Sequence, residues 1–186
     1  NDRIGIVGKN GVGKSTLMKT IFGEIPPDTG RVECGQTVRI AYFRQENEEL
    51  NEKERVIDSI RGITDYLPTT DGLISASQMA ERFLFTPEMQ FAPIEKLSGG
   101  EKRRLYLLRI LMSAPNVLFL DEPTNDLDIS SLMVLEDFLD HFAGIVLTIS
   151  HDRYFLDRTV NRLFVFEGDG HIRRFEGGYT DYQVQL

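Results

Sequence analysis

The chain has 186 residues and a formal net charge of −8, from 21 Lys and Arg against 29 Asp and Glu. That length fits one domain able to bury about 70 % of its extended surface, and the acidic balance argues against a non-specific polyanion binder, leaving only a local basic patch open. The single Cys34 rules out an intrachain disulfide and suits a reducing, cytoplasmic compartment, and no run approaches the length of apolar sequence that spans a membrane.

Arg3-Ile4-Gly5-Ile6-Val7 is short, apolar and β-branched, the pattern of a buried parallel strand. Entering a central strand this early, after only Asn1 and Asp2, predicts a fragment trimmed at its N-terminus. Gly8-Lys9-Asn10-Gly11-Val12-Gly13-Lys14-Ser15 follows, and Leu17, Met18, Ile21 and Phe22 then take helical spacing up to Gly23. Strand, glycine loop and helix together form the context that a phosphate-cradling loop requires. Glycines let backbone N–H groups turn inward on a phosphate, and the helix N-terminus adds partial positive charge. Lys14 can reach β- and γ-phosphates, and the Ser15 hydroxyl can ligate Mg²⁺. The bland alternative is a glycine turn without a ligand.

Pro26 to Gly30 reads as a turn, Arg31 to Cys34 as a short strand, and Val38 to Phe43 as a half-buried, alternating strand with Gln45 just past its end. Residues 46–54 read as a charged, solvated loop or frayed helix. Val56, Ile57, Ile60 and Ile63 predict one amphipathic helix; Met79, Phe83 and Leu84 predict a second over Ser75 to Phe85, capped by Ser75 or Ser77. No strand is needed here, so 46–96 is expected to be a small helical subdomain inserted in a single domain spanning 1–186. The aromatics Phe83, Phe85 and Phe91 fit core better than a base-stacking platform.

Leu97-Ser98-Gly99-Gly100-Glu101 opens a helix to Met112, with Ser98 and Glu101 at capping-box spacing. Val117 to Leu120 is a strand ending in Asp121-Glu122, and a helix capped by Asp128 runs from Ile129 to Phe142. Ile145 to Ile149 is a strand ending at Ser150-His151, and Arg153 to Val160 is the next helix. Leu163 to Phe166 and His171 to Phe175 read as a terminal hairpin. Alternating strands and helices predict an α/β fold with a mostly parallel sheet covered on both faces. Ligands bind such sheets at the strands' carboxyl ends, where the glycine loop, Asp121-Glu122 and His151 should converge.

Hydrolysis of a γ-phosphate needs charge neutralisation and a placed, polarised water. Asp121 suits a carboxylate holding Mg²⁺. Glu122 can act as general base. His151 can donate to the γ-phosphate, and Gln45 can position water and Mg²⁺. Alone, an Asp-Glu pair after a strand is often a helix cap, and a His beside Asp152 and Arg153 is often a surface residue; their joint occurrence with the phosphate loop favours the functional reading.

Leu97 to Glu101 resembles the signature motif of ATP-binding-cassette (ABC) ATPases. Gly8 to Ser15, Gln45, Leu118 to Glu122, Asp126-Leu127-Asp128 and His151 follow in that family's order, so the resemblance covers essentially the whole chain. Glu122 to Asp128 and Ser150 to Leu156 resemble the ABC-F branch, whose members carry two cassettes on one chain and no membrane domain. Gly177-Gly178-Tyr179-Thr180-Asp181-Tyr182 resembles the end of the second cassette in Uup-type members.

The resemblance implies a RecA-like P-loop core, a helical subdomain and a partial antiparallel β-subdomain. It implies ATP and Mg²⁺ as ligands. Gly8, Asn10, Gly11, Val12, Gly13, Lys14, Ser15 and Thr16 would bind the phosphates. Ser15, Gln45 and Asp121 would serve the metal, Glu122 would be catalytic, and His151 the switch. Ser98, Gly99 and Gly100 would contact the γ-phosphate held by a second cassette, of the same full-length chain or a homodimer, with Asp126 and Asp128 at the seam. A second cassette would therefore be needed for full activity. The upstream adenine-stacking aromatic and the arm of a first cassette are both missing from the sequence. The resemblance implies action on the ribosome in translation or in nucleic-acid-linked processes. The alternatives are the ATP-binding subunit of a membrane transporter and a module that holds nucleotide without hydrolysis; Asn125 to Asp128 favours ABC-F over the first, and Glu122 with His151 argues against the second.

Overall fold

The computed structural model describes residues 2–46 and 48–185; Asn1, Asn47 (in the loop expected over 46–54) and Leu186 lie outside the description. A six-stranded sheet has the order β2-β5-β6-β1-β7-β8. Its strands are β1 (Arg3–Gly8), β2 (Ile40–Phe43), β5 (Val117–Asp121), β6 (Ile145–Ile149), β7 (Arg162–Gly168) and β8 (His171–Glu176). The first five strands in that order pair in parallel, and β8 closes the edge antiparallel to β7. The α/β class, the parallel sheet and the terminal hairpin are as the sequence predicts.

Strand alternation sends side chains to two faces. Ile6, Tyr42, Phe119 and Ile149 project to one, where Met18 of α1 (Lys14–Phe22) covers them. Ala41, Phe43, Leu118, Leu120 and Val146 project to the other, against α5 (Gly99–Met112) and α6 (Ile129–His141). A third cluster joins Val7, Leu163 and Val165 to Leu156 of α7 (Arg153–Thr159), with Tyr179 and Tyr182 of α8 (Tyr179–Val184) packed on it. Because β2 pairs in parallel with β5 and is covered on both faces, three of its four residues are buried in succession, not in the alternation expected of a half-buried strand.

Residues 31–34 do not form the predicted strand. All four are exposed, Arg31 pairs with Glu33 at 2.6 Å, and among the described residues no neighbour takes up their backbone groups. The antiparallel pairing outside the main sheet lies instead at β3 (Tyr66–Thr69) and β4 (Gly72–Ser75), inside the segment expected to be purely helical. Its sequence signal was Asp71-Gly72, and Pro68 is tolerated because a two-stranded ribbon has only edges.

Around that hairpin lie α2 (Val56–Arg61), α3 (Ala76–Arg82), α4 (Pro87–Phe91) and a 3₁₀ turn at Ile94–Lys96. Ile63 falls beyond α2, and α3 stops before Leu84, whose φ of 65° leaves the helical region. Ser75, not Ser77, caps α3, in a reciprocal box with Gln78. Phe83 and Phe85 are core, but Phe91 is exposed, with the Arg55 guanidinium over its ring. Val56, Ile57, Ile60, Met79 and Phe85 belong to the same cluster as Phe43 and Leu118, so this segment shares one core with the sheet, joined to it through α5.

Candidate functional site

The sheet order places β2, β5, β6 and β1 side by side, and each delivers one sequence-predicted group from its carboxyl end. Gln45 follows β2, Asp121 ends β5 with Glu122 next, His151 follows β6, and the glycine loop follows β1. All but His151 border one cavity of about 390 Å³ lined by Asn10, Gly11, Gly13, Lys14, Ser15, Thr16, Gln45, Asp121, Glu122 and Ile149; His151 stands beside it, against Glu122 and Asn10. Gly8 and Val12 are not among its lining residues. Gly8 sits at the strand end, and Val12 packs over it: a Cβ on Gly8 would lie 3.3 Å from the Val12 Cγ2.

Lys14 is buried, and its ammonium donates at 2.8 Å to the carbonyl oxygens of both Gly8 and Lys9. Burial lowers its pKa, opposed by the carboxylates of Glu122 and Asp121. Glu122 is buried too, and burial raises its carboxyl above the ordinary range, ahead of the opposing pull of His151. Its backbone is left-handed, with φ of 49°, a conformation that costs a non-glycine residue of order 1–3 kcal/mol. Two backbone bonds hold that turn: the Glu122 N–H donates to Ile149 O at 2.9 Å, and the Asn125 N–H to Glu122 O at 3.2 Å.

The His151 N–H donates to the Glu122 Oε2 at 3.3 Å. The His151 Nε2 lies 3.2 Å from Glu122 Oε1 and 3.0 Å from the Asn10 Oδ1. Two acceptors facing one ring nitrogen assign the proton to Nε2. The ring therefore ties the glycine loop to the carboxylate after β5.

Asp121 is buried; the Tyr42 hydroxyl donates to its Oδ2 at 3.1 Å, while its Oδ1 is buried without a hydrogen-bond partner. An orphaned carboxylate oxygen bordering a polar cavity fits a cation or its water. Among the described residues no cluster of His, Cys, Asp and Glu could hold a metal ion alone. A cation here would depend on one carboxylate, the Ser15 hydroxyl, Gln45 and a ligand's phosphates, the arrangement Mg²⁺ accepts.

Ser98, Gly99 and Gly100 are exposed at the start of α5 and do not line the cavity. Ser98 accepts from the Glu101 N–H at 3.2 Å, and Glu101 accepts from the Ser98 N–H at 2.8 Å, closing the expected capping box. Asp128 caps α6 through the Ser131 N–H at 2.9 Å, and Asp126 is exposed 3.9 Å from the Arg103 guanidinium.

Sequence reasoning passed over Tyr42, which reads as one more core aromatic in a strand. It also passed over Arg103, buried in α5, which donates to Arg44 O and to Glu46 O on either side of Gln45 and lies 3.9 Å over the Phe43 ring. Only its place one turn after the capping box could have marked it.

The profile of the ABC transporter family matches residues 1–125. The chain belongs to the ATP-binding-cassette family. The cassette is 59 % identical to the ATP-binding protein YfmR of Bacillus subtilis over 99 % of its own length and 29 % of that protein's. It is 40 % identical to the ATP-binding protein Uup of Escherichia coli K12, over 99 % of this chain and 29 % of Uup. With the energy-dependent translational throttle protein EttA of the same strain it shares 38 % identity, over 97 % of this chain and 32 % of EttA. The cassette thus spans about a third or less of these relatives, and it is of the ABC-F type that Uup and EttA represent. An archaeal ribosome recycling factor, aABCE1, solved with the stalk protein aP1, superposes with a TM-score of 0.76 at 25 % identity, over 98 % of this chain and 36 % of that one. The fold also matches the cassette MJ0796 in a dimeric post-hydrolysis state, with a TM-score of 0.68 at 19 % identity, over 94 % of this chain and 85 % of that one. No helix among the described residues is long and apolar enough to cross a membrane.

Proposed function

We propose that this cassette binds MgATP and hydrolyses its terminal phosphoanhydride, as one of two cassettes in a cytoplasmic ABC-F protein that acts on the ribosome in translation or in nucleic-acid-linked processes. The observation that carries the chemistry is the convergence of a buried carboxylate, Glu122, and a buried ammonium, Lys14, on the cavity at the ends of adjacent strands. Backbone N–H groups of the glycine loop and the α1 N-terminus receive the phosphates. The ammonium of Lys14, now satisfied by two carbonyl oxygens, exchanges them for phosphate oxygens. Ser15, Gln45 and Asp121 hold Mg²⁺, which supplies charge neutralisation across the phosphates. Glu122 accepts the proton of the attacking water, and its raised pKa makes it a stronger base than an ordinary carboxylate. The Nε2–H of His151, beside both Glu122 and Asn10, is placed to donate to the γ-phosphate as charge builds there.

Ser98, Gly99 and Gly100 serve the nucleotide of a second cassette in this reading. Their exposure and their absence from the lining of this chain's own cavity support it, as does the greater length of the relatives. The names of EttA and of the recycling factor support the ribosome. The test is ATP turnover per site by this chain alone and by the full-length protein. Faster turnover in the full-length protein is expected; equal rates would remove the need for a second cassette, and no turnover in either would remove the ATPase reading.

A further inference from the structure

Tyr42, on the strand leading to Gln45, meets both the phosphate-loop helix, through Phe22, and the carboxylate of Asp121. It is 5 % exposed, and its ring lies edge-on to Phe22 of α1 at 5.5 Å and to Phe119 of β5 at 5.7 Å. The Arg44 guanidinium closes its outer side, 4.7 Å over the Tyr42 ring and 5.3 Å over Phe22, and Arg44 is itself ion-paired with Glu24 just past α1. The ring has no freedom to swing, so its hydroxyl is held where it donates to Asp121 Oδ2 at 3.1 Å. The two oxygens of Asp121 are thereby unequal: Oδ2 is engaged and Oδ1 is left without a partner.

We propose that Tyr42 is a positioning residue for the divalent cation: its hydroxyl fixes the rotamer of Asp121 so that Oδ1 alone is presented to the metal or its water. The inference rests on the reading of this cavity as a MgATP site. Without the hydroxyl, the Asp121 carboxylate has two unsatisfied buried oxygens and can turn about its last torsion to share them. A carboxylate that must be re-oriented on binding holds the cation less well, and outer partners of this kind are worth roughly 10- to 100-fold in metal affinity or activity.

The test is Tyr42→Phe, which keeps the ring and its packing and removes one oxygen. ATP affinity of the chain is measured by calorimetry twice, with Mg²⁺ and with EDTA, and the ratio of the two affinities is the metal increment. The variant is expected to bind ATP in EDTA as the wild type does and to lose about 10-fold of the increment. Phe22→Leu serves as the packing control, with a lowered melting temperature and a normal increment. In an Asp121→Asn background, Tyr42→Phe should change the increment no further. A full increment in folded Tyr42→Phe overturns the proposal, as does an equal loss in Phe22→Leu. A wild-type chain that binds ATP in neither condition overturns instead the site reading on which it rests.

Discussion

Gly8→Ala should lower stability and loosen the phosphate loop together, and the structure sets the size of the effect. Gly8 ends β1 opposite Phe166 of β7. A Cβ there would lie 2.7 Å from the Phe166 carbonyl oxygen and 2.8 Å from its Cβ, about 0.7 Å inside the 3.4 Å at which ordinary contact begins. Neither neighbour is the free end of a flexible side chain, so the strands must part. Strain of this kind costs about 1–3 kcal/mol. The φ of 151° adds about 1 kcal/mol for any L side chain. A total of about 2–4 kcal/mol corresponds to a fall in melting temperature of roughly 4–16 °C for a domain of this size. Gly11→Ala separates the two contributions: its φ is 81°, but nothing lies within 4 Å of the added Cβ, so only the backbone cost of about 1 kcal/mol applies. Because the Gly8 carbonyl holds the Lys14 ammonium, Gly8→Ala should also weaken ATP binding measured by calorimetry. Thermal melts that placed Gly8→Ala within about 1 °C of wild type, or below Gly11→Ala in cost, would refute the close-approach argument.

Lys14→Ala should weaken MgATP binding and abolish turnover, since a desolvated cation on the phosphates is lost; nucleotide titration and phosphate release check both. Full-length protein bearing Glu122→Gln should accumulate on ribosomes in an ATP-dependent manner in sedimentation, because the amide keeps the shape but cannot accept the water's proton; ATP-dependent enrichment with membranes instead would favour a transporter. Turnover should rise with pH through the Glu122 pKa, which burial holds above the ordinary carboxylate range, because only the ionised form is a base. The stability sign is the reverse: a raised folded pKa favours the neutral acid, so this contribution is full below the unfolded value and is lost as pH rises through the folded one. Glu122→Gln, neutral throughout, should therefore gain in melting temperature over wild type across that window, and a gap that narrows with rising pH would contradict the burial of this carboxylate. Arg103→Ala should cost about 2–4 kcal/mol in denaturant unfolding, since it opens a cavity under Phe43 and strips a donor from the carbonyls flanking Gln45.

The sequence by itself determined whatever depends on local order along the chain. The strand, glycine loop and helix at 3–23 were readable because backbone conformation and apolar spacing there are set by neighbours in sequence. The caps at Ser98 and Asp128 were readable for the same reason: a hydroxyl or carboxylate meets an N–H three residues on. Gln45, Asp121, Glu122 and His151 could be placed at one sheet edge because parallel strands deliver their carboxyl ends to the same side. Pairing between distant segments was not readable. Arg31 to Cys34 has strand-like composition and no strand partner among the described residues, whereas the 66–75 hairpin pairs residues three to nine positions apart with only the turn signal Asp71-Gly72 to mark it. Tyr42 looks like a core aromatic until β2 pairs with β5 and sets its hydroxyl against Asp121, 79 positions on. The left-handed turn at Glu122, the Asn10–His151 contact and the seat of Arg103 share that origin. Each is a contact between groups far apart in the chain, whose geometry exists only once the sheet has fixed which strands are neighbours.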